Sequence, residues 1–239
     1  MTVHQSVLEL IGRTPMVRAQ RLDTGSCELF LKLESTNPGG SIKDRIGLSM
    51  IEGAEKDGRI RPGDILVEGT AGNTGLGLAL VAQQKGYRLI LVVPDKMSRE
   101  KIFNLKAMGA EVVLTRSDVA KGHPEYYQDM AERIARETPG AYFINQFGNP
   151  DNPAAHIATT GPEILEQMDG QVDAIVVGCA ACRSSSPGTR RKPNSSWPTR
   201  SVPSWRNTST RARSPPSPPA GWSRASARIS CPRSATSRG

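Results

Sequence analysis

The 239-residue sequence predicts an α/β fold. Three observations carry that expectation. Short apolar runs alternate along the chain with segments of helical period. The runs are continuously apolar, as in strands buried on both faces of a parallel sheet. Glycines also fall where the helical segments should stop.

Taken in order, a tight turn at Asn37-Pro38-Gly39-Gly40-Ser41 precedes a helix over Lys43–Lys56. A strand follows at 65–67, then a second glycine-rich turn, Glu68-Gly69-Thr70-Ala71-Gly72-Asn73-Thr74-Gly75. That turn opens a helix over 74–85, with Gly86 placed to end it. A strand at 89–93 leads to a helix over 99–108, with Ser98 as its N-cap and Gly109 as its C-cap. A strand at 112–114, a helix over 125–137 and a strand at 174–177 complete the alternation, which implies crossover helices.

The chain changes character near Cys182. All 23 acidic residues lie at or before Asp173, whereas 12 of the 31 Lys and Arg lie from Arg183 onward. The overall charge of +8 therefore divides into −4 before the break and +12 after it. The segment 183–239 holds half of the 18 prolines and all three tryptophans, but no Leu, Met, Phe or Tyr. A segment this poor in aliphatics cannot bury enough surface to offset its ordering entropy, so a disordered tail is expected. It reads as a basic nucleic-acid-binding arm, as a Ser/Pro-rich linker, or as a shifted coding frame of a GC-rich gene.

No run is long enough to cross a membrane, and no secretory signal opens the chain, so a cytoplasmic location is expected. The four cysteines fit a reducing compartment. Cys179 and Cys182 form a CxxC without a second pair, which is a poor metal site. His4, His123 and His156 show neither metal nor triad spacing, and no metal is expected.

The chemistry suggested by the two turns is specific. A lysine at the mouth of a helix, just after two glycines, suits Schiff-base formation with an aldehyde. A second tight turn begins about 25 residues later at Glu68, and its Asn73 can hydrogen-bond a ring oxygen. Backbone N–H groups at the same helix start can hold an anion. Lys43 could equally be a solvated lysine in a charged helix start, and Asn73 a simple cap.

Together these segments closely resemble the β-family (fold type II) of pyridoxal-phosphate enzymes, and within it the cystathionine β-synthase and cysteine synthase group. The likeness runs from about Ser6 to Gly178. It includes Leu10-Ile11-Gly12-Arg13-Thr14-Pro15, Leu33-Glu34, Pro94-Asp95-Lys96-Met97-Ser98, Asn145-Gln146-Phe147-Gly148-Asn149-Pro150 and Thr159-Thr160-Gly161-Pro162-Glu163-Ile164. Any one is weak, but their order and spacing make the match specific.

The resemblance implies a tryptophan synthase β-like fold of two three-layer parallel-sheet domains. A large cofactor domain would combine 1–45 with 151–182, and a small domain would span 46–150. It implies pyridoxal 5'-phosphate as cofactor, Lys43 as the Schiff-base lysine and α-proton base, and Asn73 on the ring oxygen. Thr70, Ala71, Gly72, Thr74 and Gln146 would hold the substrate carboxylate. Ala71 departs from the serine often found there, and Glu34 reads as structural. The family's glycine-rich phosphate loop would follow 174–177, but here Gly178 is followed by Cys179-Ala180-Ala181-Cys182-Arg183. The C-terminal half of the large domain is thus missing or scrambled.

The implied reaction is β-replacement on L-serine or O-activated serine. Homocysteine as nucleophile would give cystathionine, and sulfide would give cysteine. Lys96-Met97-Ser98, His123-Pro124-Glu125-Tyr126-Tyr127 and the run from Thr159 lean toward cystathionine β-synthase, and Phe147 toward cysteine synthase. Amino acids are the implied small-molecule partners, the intact protein is implied to be a homodimer, and neither membrane nor nucleic acid is expected. Rival readings are an inactive truncated product and a basic-tailed binding protein. The shifted frame is the favoured account of the tail. Reading each codon from its third base, permitted codons for 188–207 and 222–237 spell strings like the second half of a cystathionine β-synthase-type enzyme.

Overall fold

Three of the apolar runs meet in one parallel sheet. The structure, a computed structural model, describes residues 3–70 and 72–177 and the backbone of 226–230. Its elements are β1 (Met16–Arg18), β2 (Glu28–Lys32), α1 (Lys43–Lys56), β3 (Ile65–Gly69), α2 (Asn73–Lys85), β4 (Arg88–Pro94), α3 (Arg99–Ala107) and β5 (Glu111–Thr115). Then come α4 (Tyr127–Glu137), β6 (Ala141–Phe143), α5 (Asp151–Ala155), a π-helical turn at His156–Thr160, α6 (Gly161–Gln167), β7 (Ala174–Val176) and β8 (Ser226–Ser230).

The parallel sheet has the order β5-β4-β3-β6. Successive residues of a strand point to opposite faces, and here both faces are covered. Leu66, Leu89, Leu91 and Val93 pack with Ile46 and Met50 of α1, Leu78 and Val81 of α2 and Leu105 of α3. Val67, Ile90 and Val92 point the other way, against Ala131 and Ala135 of α4. This is the three-layer arrangement that the continuous apolar runs predict.

The caps follow the sequence. Gly86 and Gly109 sit at φ +76° and +83°, in the left-handed region where glycine carries no Cβ penalty. The Ser98 hydroxyl accepts from the Lys101 N–H at 3.4 Å. Helix α4 starts later than its periodicity suggests, because the Tyr126 N–H closes a turn on the His123 carbonyl at 2.8 Å.

The second sheet, β1-β2-β8-β7, corrects the expectation that 174–177 is a buried parallel strand. Every pairing in it is antiparallel, and β7 is largely exposed rather than a buried parallel strand. A parallel pair needs a crossover that covers the sheet, whereas β7 lies beside β8, which runs in the opposite direction. Strands β1, β2 and β6 and helices α5 and α6 were not anticipated. Among the described residues no helix is long and apolar enough to cross a membrane. Ala71, the 178–183 segment and the tail apart from β8 lie outside the described residues.

Candidate active site

Lys43 is the first residue of α1, and the turn before it is fixed atom by atom. Gly40, at φ +81°, donates its N–H to the Asn37 carbonyl at 2.7 Å. The Ser41 hydroxyl accepts from the Lys43 N–H at 3.2 Å, satisfying one of the donors left open at a helix start. Asp44 lies fully buried behind the lysine and accepts from the Gly39 N–H at 2.5 Å. A Cβ on Gly39 would lie 2.5 Å from Asp44 Oδ1, so only glycine fits there. Burial pushes the Asp44 carboxyl up to about 6, against the pull of the Gly39 N–H, and the nearby Glu34 charge adds to the rise. The half-buried Lys43 amine has no hydrogen-bond or ion-pair partner among the described residues.

Arg45 anchors this turn to distant parts of the chain. Its guanidinium grips Glu34 through Nε (2.8 Å) and Nη2 (2.9 Å), and Glu163 through Nη1 (2.6 Å) and Nη2 (2.7 Å). Lys32 Nζ donates to Glu163 at 2.7 Å and to the Thr14 carbonyl at 2.8 Å. The Thr14 hydroxyl donates to Glu34 at 2.6 Å, and the Asn37 side chain bridges Glu34 to the Gly12 N–H. Burial would raise the Glu34 carboxyl, but hydrogen bonds from Arg45, Thr14 and Asn37 hold it below its ordinary range. Burial likewise opposes ionisation of Glu163, yet bonds from Arg45, Lys32 and the Arg13 N–H bring it down to about 2. The motifs around Gly12, Glu34 and Glu163 thus converge on one charged network, and Glu34 is spent in it.

Helices α1 and α2 cross at backbone contact. A Cβ on Gly77 would stand 2.7 Å from the Lys43 carbonyl oxygen, and one on Gly47 2.8 Å from the Gly77 carbonyl carbon. Gly77 is one helical turn past Asn73, so the crossing brings the Lys43 and Asn73 helix starts to the same end of the sheet. In the turn before α2, buried Thr70 accepts from the Gly72 N–H at 3.3 Å, and half-buried Asn73 begins the helix. A Cβ on Gly40 or Gly72 would meet none of the described residues within 4 Å, so both turns face space that these residues leave open.

The 145–149 turn brings Gln146 to this place. Asn145 adopts φ +53°, and the Asn149 amide holds the Ile144 carbonyl at 2.9 Å. Buried Gln146 accepts from the Thr74 hydroxyl at 2.7 Å. Its Nε2 donates to Glu68 Oε1 at 3.1 Å, and its backbone N–H donates to Glu68 Oε2 at 3.2 Å. Burial pushes the Glu68 carboxyl up to about 7, although the Gln146 backbone and side-chain bonds and the Asn145 and Gly69 N–H groups oppose the rise.

Thr74 and Gln146, 72 residues apart, are therefore directly bonded, and Thr70 and Gly72 share a turn. Lys43 is tied to the group through the α1–α2 crossing rather than by a side-chain bond. Sequence reasoning gave no role to Glu68 or Asp44. Glu68 carried one signal, an acid closing the apolar run Ile65-Leu66-Val67, where a buried strand should have none.

The chain is 45% identical over 188 residues to cystathionine beta-synthase of Dictyostelium discoideum, covering 78% of this chain and 37% of that protein. It is 48% identical over 170 residues to cysteine synthase B of Escherichia coli K12, covering 70% and 54%. A crystal structure of a hydrogen sulfide-producing enzyme from Fusobacterium nucleatum superposes with TM-score 0.67 at 42% identity, over 72% of this chain and 56% of that one. The chain thus spans between about a third and about half of the length of these proteins. Residues 7–184 match the family described as pyridoxal-phosphate dependent enzyme, and the chain belongs to that family.

Proposed function

We propose that the intact protein catalyses β-replacement on L-serine or an O-activated serine, with homocysteine as the thiol nucleophile. One observation carries this reading. The Lys43 amine, unpartnered among the described residues, and the turn before Asn73 stand at two helix starts locked together by the Gly77 contact, with no described residue beside Gly40 or Gly72. Neither packing nor a left-handed φ demands glycine at position 72, which leaves room for a ligand as the reason for it.

The described residues fit pyridoxal phosphate at its aldehyde and ring-oxygen end; the phosphate grip falls on residues beyond Val177. When bound, the cofactor supplies an electron-accepting ring that makes the α-proton of an amino acid removable. Lys43 is the amine that would hold the aldehyde and would take the α-proton of the substrate amino acid. Asn73 would donate to the ring oxygen. Thr70, Gly72, Thr74 and Gln146 would orient the substrate carboxylate through N–H and hydroxyl donors, and Ala71 of the same motif lies outside the described residues. Buried Asp44 and Arg45 keep the start of α1 rigid. We take the intact enzyme to be a cytoplasmic homodimer, as the family resemblance implies.

The chain's nearly equal likeness to cysteine synthase B supports a second reading, O-acetylserine plus sulfide giving cysteine. Phe147, 70% exposed beside Gln146, favours it too. The first test is the visible absorption of the full chain after adding pyridoxal phosphate and desalting. A retained band that disappears in Lys43→Ala is expected, and its absence from the unsubstituted chain would overturn the assignment for this polypeptide. Turnover of serine with homocysteine against O-acetylserine with sulfide separates the two nucleophiles.

A further inference from the structure

Glu68 is fully buried, carries no assigned role, and is joined by two hydrogen bonds to Gln146 and through it to Thr74. We propose that Glu68 is a positioning residue whose proton decides which way the Gln146 amide faces, and so whether Gln146 and Thr74 offer donors to a substrate carboxylate. The proposal rests on the carboxylate-binding reading of Thr74 and Gln146 and deepens it.

The argument is one of donors and acceptors. An ionised carboxylate only accepts. Glu68 Oε1 therefore claims the Gln146 amide nitrogen at 3.1 Å, which leaves Gln146 Oε1 facing Thr74. The Thr74 hydroxyl then spends its proton on that oxygen at 2.7 Å. The second Gln146 amide proton points to the Gly69 carbonyl at 3.5 Å, so in this state neither group has a free donor for an incoming anion. A proton from solvent on Glu68 Oε1 reverses the circuit. Oε1 now donates, the Gln146 amide turns over, and its oxygen accepts from Glu68. The amide N–H₂ faces Thr74 and donates to the hydroxyl oxygen, so the hydroxyl proton is released for the substrate. Glu68 Oε2 accepts from the Gln146 backbone N–H at 3.2 Å in both states, so the strand and the turn stay in register while the side chain turns.

The surroundings suit a carboxyl that changes charge near neutrality. Burial raises it toward about 7, and the groups that oppose the rise are the Gln146 bonds and the Asn145 and Gly69 N–H groups. On the α4 side, Tyr127 is the titratable group that feels the Glu68 charge. Burial and its bond to Tyr126 push Tyr127 up to about 12, so it stays neutral while Glu68 titrates. From α2 the circuit is met by Thr74, which does not titrate.

Glu68→Gln mimics the protonated state, since an amide can donate to Gln146 Oε1 and accept from the Gln146 N–H. The test uses the full chain labelled with ¹⁵N. The Gln146 side-chain amide peaks are those missing from Gln146→Ala. Across the pH range they should shift in the unsubstituted chain with a midpoint of about 7 and stay fixed in Glu68→Gln. With pyridoxal phosphate added, L-serine should bind the two proteins equally below the midpoint. One pH unit above it, L-serine should bind the unsubstituted chain about tenfold more weakly than Glu68→Gln. Taking the ratio at each pH cancels the pH dependence that the two proteins share. Amide peaks that do not move, peaks that move equally in both proteins, or a ratio independent of pH would each overturn the proposal. If the visible band or its response to L-serine is missing from the unsubstituted chain, the carboxylate-site reading fails, and with it the functional half of this proposal. The amide titration still decides the Glu68 circuit by itself.

Discussion

Gly77 lies against the carbonyl of Lys43 so closely that a methyl group there would sit 2.7 Å from the oxygen. A backbone oxygen cannot move aside as a flexible side chain can. Gly77→Ala must therefore push α1 and α2 apart, at a cost of about 1–3 kcal/mol. Urea unfolding measures that loss, and the Lys43-dependent absorption band should weaken with it. Unchanged stability would show that the crossing has slack.

Gly72→Ala separates packing from ligand binding. The added methyl meets nothing within 4 Å, and the φ of −161° is ordinary extended backbone. Stability should stay within about 0.5 kcal/mol of the unsubstituted chain, as for a neutral surface change. L-serine binding should drop, because the methyl enters the space kept for the substrate. A large loss of stability would mean that Gly72 serves the fold instead.

Arg45→Met removes the one cation shared by Glu34 and Glu163 and leaves two carboxylates without it. The expected loss is about 3–5 kcal/mol, the cost of an uncompensated buried charge. Adding Glu34→Gln should recover part of it, since Glu163 keeps its pair with Lys32 and no carboxylate of the cluster is then left without a cation. Chemical denaturation of the single and double variants checks both statements.

Two carboxylates give stability opposite slopes with pH. Glu163, held at about 2 in the folded chain against 4.5 in the unfolded one, contributes stability that is full above 4.5 and lost as pH falls toward 2. Glu68, raised to about 7, does the reverse: its cost is absent below 4.5 and complete above 7. Glu68→Gln should therefore gain on the unsubstituted chain as pH rises, by on the order of 3 kcal/mol above neutrality. Glu163→Gln should differ most at neutral pH and least in acid. Urea midpoints across the pH range test both signs.

The tail makes a prediction about the gene. If residues 183–239 come from a shifted frame, sequencing should find, one frame over, the continuation of a β-replacement enzyme. An unbroken frame, verified in the transcript, would leave the tail as the native sequence.

The parallel sheet and its helices were legible because each is a local pattern of sufficient length. Helix α1 begins at Lys43 and ends at Lys56 as its periodicity says. The short strands β1 and β6 were not legible, since three residues give no period. The start of α1 looked like a solvated Lys-Asp-Arg run, whereas Asp44 and Arg45 are both buried. Their burial depends on Glu34 and Glu163, and no window of sequence contains that pairing. Glu68 was quoted within a motif and passed over, because its meaning lies in Gln146, 78 residues away.

The Arg45–Glu163 pair spans 118 residues of chain, and Lys32–Glu163 spans 131. On the ribosome the basic members emerge long before the acid that completes their cluster. At about 5–20 residues per second, the wait is roughly 6–24 s. Until α6 has left the exit tunnel, the turn that holds Lys43 lacks its anchor. The nascent chain can therefore form α1, α2 and the parallel sheet, yet the lysine's own setting is among the last things to be made.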